Sequence, residues 1–204
     1  MSKFPEDDLW TPHTVEETRD IYRRWAKEYD SDVLGWGYVT PTRVARALRA
    51  AGADVNQPVL DFGCGTGLSG QALAAEGFTL VDGTDISPEM LAKAKERDLY
   101  RSIWLGRPGK CDEVQSGDYA GIVAAGVVSM GAAPPETLAL LVALLAPGNL
   151  LAFSYNDATL ADGGYMDALD SACKTEGVAL VFEEHGPHLP EKKVESTVYV
   201  LQRT

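Results

Sequence analysis

The segment Val59-Leu60-Asp61-Phe62-Gly63-Cys64-Gly65-Thr66-Gly67 constrains this chain more than any other. A short apolar run ends in an acid, and glycines then stand at 63, 65 and 67. Such a run reads as a buried strand feeding a turn whose backbone takes dihedrals that side chains disfavour. Residues 71–76 read as the helix that follows. Strand, glycine turn and helix together place a ligand at the carboxyl end of a parallel sheet. Twenty residues after Gly65, Asp85 closes the next strand-like run, residues 79–85. An acid there accepts hydrogen bonds from both hydroxyls of a ribose. Two acids at two successive strand ends make a nucleoside site a better reading than a plain tight turn.

The rest of the chain alternates in the same way. Ser87-Pro88 starts a helix whose inner face carries Met90, Leu91 and Ala94. Strands are predicted over 100–105, 122–124 and 149–154. A strongly apolar helix is predicted over 134–146, stopped by Pro147-Gly148, and another over 166–175. Alternation of this kind gives a parallel sheet with right-handed crossovers. The last two strands, 178–182 and 194–201, have no helix between them. A loop of about a dozen residues joins them, most simply as an antiparallel hairpin. Ahead of this core, Thr14-Val15-Glu16-Glu17 reads as a capping box. Tyr22, Trp25 and Tyr29 then share one helical face at i, i+3 and i+7. Thr40, as N-cap before Pro41, opens a second helix through Val44 and Leu48 that ends at Gly52. Residues 1–13, acidic with Pro5 and Pro12, read as an arm outside the core. No linker or repeat divides the chain. Residues 1–204 are expected to form one domain, with a helical lid or extension over 1–57 and a core over 58–204.

Charge narrows the partners. Eighteen basic residues against 30 acidic ones leave a net charge of −12. A surface of this sign repels phosphate backbones and anionic membranes. The clusters Arg19/Arg23/Arg24 and Lys192/Lys193 are too small to reverse that. Cys64, Cys111 and Cys173 are odd in number and lack CxxC spacing, which speaks against disulfides and zinc. The opening residues 1–8 lack the basic-then-apolar pattern of an export signal. The most apolar run, 138–153, is too short to span a bilayer and is broken by Pro147-Gly148. A soluble, cytoplasmic protein with no metal is expected.

Two ligands compete for the glycine turn. Gly65-Thr66-Gly67-Leu68-Ser69-Gly70 formally satisfies the dinucleotide pattern GxGxxG. Three features oppose NAD. Asp61 precedes the first glycine, where a pyrophosphate would disfavour a carboxylate. Two helices precede the first strand. The chain also ends in a hairpin where a second nucleotide-binding half would stand. Read whole, the sequence resembles the class I S-adenosylmethionine-dependent methyltransferases from about Tyr22 to Gln202. Asp61-Phe62-Gly63-Cys64-Gly65-Thr66-Gly67 is similar to that family's first motif, and Asp85-Ile86-Ser87-Pro88-Glu89-Met90-Leu91 to its second. Leu145-Ala146-Pro147-Gly148-Asn149-Leu150 is similar to its late "LxPGG" turn, with Asn149 in place of the second glycine. The stretch from Tyr22 to Asp30 resembles the N-terminal lid of small-molecule methyltransferases, including the Williams–Beuren-region type.

The resemblance implies a Rossmann-like α/β fold. Its seven-stranded, mostly parallel sheet would carry helices on both faces and a C-terminal antiparallel hairpin. It implies S-adenosylmethionine as cofactor and a small-molecule acceptor; the negative charge excludes nucleic acid and membrane from the expected partners. The implied cofactor-binding residues are Tyr22, Trp25, Tyr29, Asp61, Gly63, Cys64, Gly65, Asp85, Ile86, Met90, Leu105, Ala125 and Gly126. Asp85 would hold the ribose, Ile86 would flank adenine, and Asp61 would sit near the cofactor's ammonium. The family's acid after the third strand is replaced here by Leu105-Gly106-Arg107, which leaves adenine to backbone groups or Asp112. Met130 and Ala132 stand where relatives carry histidine, so no catalytic residue is assigned. His13, His185 and His188 read first as solvated loop residues and second as a general base. An acceptor pocket lined by Trp25, Tyr29, Tyr155 and the hairpin would favour an enzyme and a filled one a mere binder; the resemblance places Tyr155 and Asp157 where family substrates bind. A nicotinamide-linked oxidoreductase and a non-catalytic S-adenosylmethionine-binding protein are the alternatives.

Overall fold

The computed structural model of the protein describes Thr11 and residues 13–204. The arm expected over 1–13 therefore lies, apart from Thr11 and His13, outside the described residues. Thr14 caps helix α1 (Val15–Trp25) as read. Its side chain accepts from the Glu17 backbone while Glu17 reaches back to the Thr14 N–H. Helix α2 (Tyr29–Gly35) and helix α3 (Thr40–Ala50) follow.

The core begins with β1 (Val59–Phe62), α4 (Leu68–Ala75), β2 (Val81–Asp85), α5 (Pro88–Glu96) and β3 (Ser102–Leu105). It continues with β4 (Gly121–Ala124), α6 (Glu136–Ala143), β5 (Leu150–Asn156), α7 (Asp157–Leu160) and α8 (Gly163–Lys174). It closes with β6 (Val178–Leu189) and β7 (Val194–Arg203). The seven strands form one sheet in the order β3-β2-β1-β4-β5-β7-β6. The first five run parallel, and β7 is antiparallel to both β5 and β6.

Strand alternation sorts the core into two layers. Leu60, Ile122, Ala124, Leu151 and Phe153 face one layer, completed by Leu138 and Leu141 of α6 and Leu169 of α8. Val59, Val123, Leu150 and Ala152 face the other, completed by Val44 and Leu48 of α3 and Leu73 of α4. Burial on both faces is why β1 and β4 read as continuous apolar runs rather than alternating ones.

Three sequence expectations change. The final hairpin has no long loop. Strand β6 runs twelve residues to Leu189, and a single 3₁₀ turn, Pro190–Lys192, with Lys193 at φ 55°, returns the chain. His185 and His188 are therefore strand residues. His188 is only 5% exposed. His185 lies on the open side, within hydrogen-bonding distance of Thr197 Oγ1 and Glu195, at 3.0 Å each. The aromatic stripe is not one helical face, because α1 ends at Trp25 and a turn intervenes before Tyr29. The rings still meet, Trp25 against Tyr29 edge-on at 4.6 Å. Finally, Thr40 lies inside α3, whose N-cap is Val39. Its hydroxyl turns instead to His188 Nδ1 at 2.7 Å. No helix among the described residues is long and apolar enough to cross a membrane.

Candidate active site

The glycine turn after β1 is held by the neighbouring strand. The N–H groups of Gly63 and Cys64 both donate to the Thr84 carbonyl, at 2.8 and 3.0 Å. Gly63, Gly65 and Gly67 take φ of 69°, 54° and 91°, conformations that favour glycine. Their reasons differ. A Cβ on Gly63 would fall 2.5 Å from Val127 Cγ2, whereas one on Gly65 would meet nothing within 4 Å. Gly65 thus presents bare backbone to open space. Asp85 sits opposite and accepts from Gly65 N–H at 2.9 Å and from Ser87 N–H at 2.8 Å. Burial raises its pKa, and those backbone donors oppose the rise.

Asp61 lies beneath the turn with no exposed surface. Ser69 donates to its Oδ2 at 2.6 Å and Tyr100 to the same oxygen at 2.7 Å. Its Oδ1 is buried without a partner. Burial pushes the carboxyl up to about 6, against the pull of those two donors.

A cavity of about 350 Å³ opens over this turn. Gly63, Gly65, Asp85, Ile86 and Met90 line one side, and Trp104, Gly106, Ala125, Gly126 and Val127 another. Val15, Thr18 and Tyr22 of α1 cover it, together with Tyr29 of α2. Burial pushes the Tyr22 phenol up to about 12, with a further push from the Asp85 carboxylate. A second space of about 60 Å³ shares Tyr22, Tyr29 and Gly126 as walls with the first. Its other walls include Trp25, Trp36, Tyr38, Met130, Asn156 and His188. The His188 ring stands 5.1 Å from that of Tyr38, at 73°. Burial lowers its pKa to about 4, with Arg43 adding to the drop and Asp157 opposing it.

Nine of the thirteen residues named from sequence line the larger cavity: Tyr22, Tyr29, Gly63, Gly65, Asp85, Ile86, Met90, Ala125 and Gly126. Four do not. Trp25 walls the smaller space. Asp61 lies under the turn. Cys64 is 3% exposed and packs against Leu91 and Ala94 of α5, and burial pushes its thiol up. Leu105 ends the edge strand β3 and is 50% exposed. Asp112 is exposed and paired with Arg107 at 2.7 Å. Tyr155 is fully buried among Phe153, Tyr165 and Tyr199, so it packs the core and walls neither space. Asp157 accepts from the Glu195 N–H at 2.9 Å. Sequence reasoning missed Thr18, Trp36, Tyr38 and Trp104. Thr18 was findable, one helical turn before Tyr22 on the same face. The others are brought in by chain crossings that no local pattern encodes. Among the described residues no cluster of side chains fits a metal ion.

Comparison with known proteins agrees with this geometry. A family described as a methyltransferase domain matches residues 36–196. The human methyltransferase-like protein 27 is 32% identical over 170 residues, covering 78% of this chain and 68% of its own length. The mouse 18S rRNA (guanine-N(7))-methyltransferase is 39% identical over 85 residues, covering 41% of this chain and 30% of its own. Among solved structures, a Leishmania major S-adenosylmethionine-dependent methyltransferase superposes with a TM-score of 0.68 at 18% identity, covering 92% of this chain and 82% of that one. A Haloferax volcanii methyltransferase, solved with the Trm112 activator, gives 0.68 at 16%, covering 91% and 97%. Those two likenesses concern the fold. The family match over most of the chain sets the dinucleotide reading aside, and the protein belongs to the class I S-adenosylmethionine-dependent methyltransferases.

Proposed function

We propose that the chain transfers the methyl group of S-adenosylmethionine to a small, uncharged acceptor whose reacting end enters the aromatic space beside the cofactor cavity. The residues present fit the cofactor. Asp61 Oδ1 is a buried carboxylate oxygen without a partner, suited to the cofactor's ammonium directly or through water. Gly65 offers bare backbone that a side chain would cover. Asp85, held by backbone donors of Gly65 and Ser87, is an acceptor suited to a ribose hydroxyl. When bound, the cofactor supplies a methyl group already activated on a positive sulfur.

The chain's own task is then to orient and to exclude water. Tyr22 and Tyr29 stand between the two spaces and form part of both walls. Their aromatic bodies suit a neighbouring cation. Where the acceptor atom carries a proton, His188, an unprotonated imidazole in the wall of the aromatic space, is the group proposed to accept a hydrogen bond from it.

The single observation that carries the acceptor class is the second space. It shares walls with the cofactor cavity, and no Asp, Glu, Lys or Arg is among its described lining residues. Relatives bearing other names act on 18S rRNA guanine, on demethylmenaquinone and on ribosomal protein L11. The net charge of −12 argues against the RNA class for this chain. We place the reaction in the cytoplasm, in keeping with three cysteines that carry free thiols. The test is to incubate the protein with methyl-labelled S-adenosylmethionine and, separately, the small-molecule, RNA and protein fractions of one cell extract. Label in the small-molecule fraction supports the reading. Label confined to RNA or protein overturns it.

A further inference from the structure

The third glycine of the turn is not explained by the cofactor. Gly67 does not line the cavity. A Cβ there would fall 2.9 Å from Arg97 Cδ and 3.3 Å from Ala94 Cα. Gly67 is bare so that Arg97 can pass. Arg97, the C-cap of α5, uses that passage to donate through Nε to the Thr66 carbonyl at 2.6 Å and through Nη1 to Gln71 Oε1 at 2.9 Å. Its Nη2 pairs with Asp30 Oδ2. The other oxygen of Asp30 accepts from Thr66 Oγ1 at 2.5 Å. One carboxylate on α2 is thereby joined twice to the glycine turn, once directly and once through Arg97.

What hangs on this junction is α2 itself. The helix has seven residues and no side-chain N-cap, and Val33 is its buried residue. A helix so short does not persist without tertiary anchors. Tyr29 precedes Asp30 directly and forms part of the wall of both the cofactor cavity and the aromatic space.

We propose that Asp30 and Arg97 are positioning residues that tie the cofactor-binding turn to α2, so that ordering the turn around S-adenosylmethionine sets Tyr29 and completes the acceptor space. The proposal rests on the cofactor reading above. Neither residue touches the reacting atoms, and both act through Tyr29. Lids that complete a site on ligand arrival commonly work through a few such contacts.

Hydrogen exchange with and without S-adenosylhomocysteine tests it. In the unaltered protein the product should protect residues 63–67 and residues 29–35 together. In Asp30→Ala the product should still bind within about threefold and still protect 63–67. Protection of 29–35 should fall about tenfold and stop responding to the product. Thr66→Val removes only the hydroxyl arm and should give a smaller loss in the same segment. With the double variant it should show less than additive loss, as partners in one network do. Thr66→Val also serves if Asp30→Ala does not fold. Unchanged, product-linked protection of 29–35 in either variant overturns the proposal, as does strict additivity. Protection of 63–67 without 29–35 in the unaltered protein sinks the proposal alone. Failure of S-adenosylhomocysteine to bind at all sinks the cofactor reading instead.

Discussion

Tyr100 donates a 2.7 Å hydrogen bond to Asp61 Oδ2, so a residue two positions ahead of β3 braces the acid near the end of β1. The phenol reaches it only because two glycines give way. A Cβ on Gly70 would fall 2.4 Å from the Tyr100 oxygen, and one on Gly83 would fall 2.9 Å from its ring. The bond steadies one carboxylate oxygen and leaves the other buried without a partner. An arrangement of this kind costs stability in the empty protein and is relieved by a cationic ligand.

The pH dependence follows from that arrangement. Burial raises the folded pKa of Asp61 from 3.8 to about 6. In the window between those values the folded state holds more protons than the unfolded state. Its contribution to stability is therefore greatest below about 4 and is lost as pH rises through about 6. Thermal melts of the empty protein should show the unaltered chain gaining on Asp61→Asn as pH falls from 7 to 4. Binding S-adenosylhomocysteine at pH 6 should release protons, seen as heats that change with the buffer's ionisation enthalpy. A difference between the two proteins that does not vary with pH contradicts this.

Gly63→Ala and Gly65→Ala should separate stability from binding. The first adds a methyl 2.5 Å from Val127 at a φ of 69°. Left-handed strain and overpacking together should cost about 2–5 kcal/mol. The second meets only strain, about 1–2 kcal/mol, but places a methyl in the space proposed for the cofactor. Urea melts and calorimetry on both variants would reveal the pattern. Loss of binding in a fully stable Gly63→Ala is the contrary outcome.

Asp85→Ala should weaken S-adenosylhomocysteine by about 2–3 kcal/mol, the scale of hydrogen bonds to a charged group. It also strips the Gly65 and Ser87 N–H groups of their acceptor. The melt should fall as well, and Asp85→Asn, which keeps an acceptor oxygen, should recover part of the melt but not the affinity. Equal affinity in all three proteins would remove Asp85 from the ribose.

Arg43→Ala should loosen the β6–β7 hairpin. From α3, Arg43 donates to the carbonyls of Pro187 and Ser196 and, through Nη2, to that of Glu184, at 2.8–3.0 Å. Its side chain is 10% exposed, so water replaces those bonds poorly. A loss of about 2–4 kcal/mol in urea is expected. Exchange should rise at residues 184–196 before it rises in β1 or β4. A loss under about 0.5 kcal/mol would show that the strands hold register without it.

The sequence by itself determined the parts whose physics is local. The Thr14–Glu17 cap needs only neighbours a few residues away, and the glycines at 63 and 65 and the acids Asp61 and Asp85 stand out in the local pattern of strand and turn. The two-face burial that makes β1 and β4 continuously apolar is legible for the same reason. Tertiary structure alone decided the rest. Whether His188 is solvated or buried depended on β6 continuing to Leu189, a length set by pairing with β7 rather than by the Gly186-Pro187 signal within it. Cys64, implied at the cofactor by the resemblance, and Tyr155, expected near the acceptor, have side chains buried against other elements, which only the packing decides. Trp36 and Tyr38 enter the aromatic space, and Asp30 meets Thr66 and Arg97, across 36 and 67 residues of sequence. Contacts at that separation are fixed by how the helices close over the sheet, which no periodicity in the chain records.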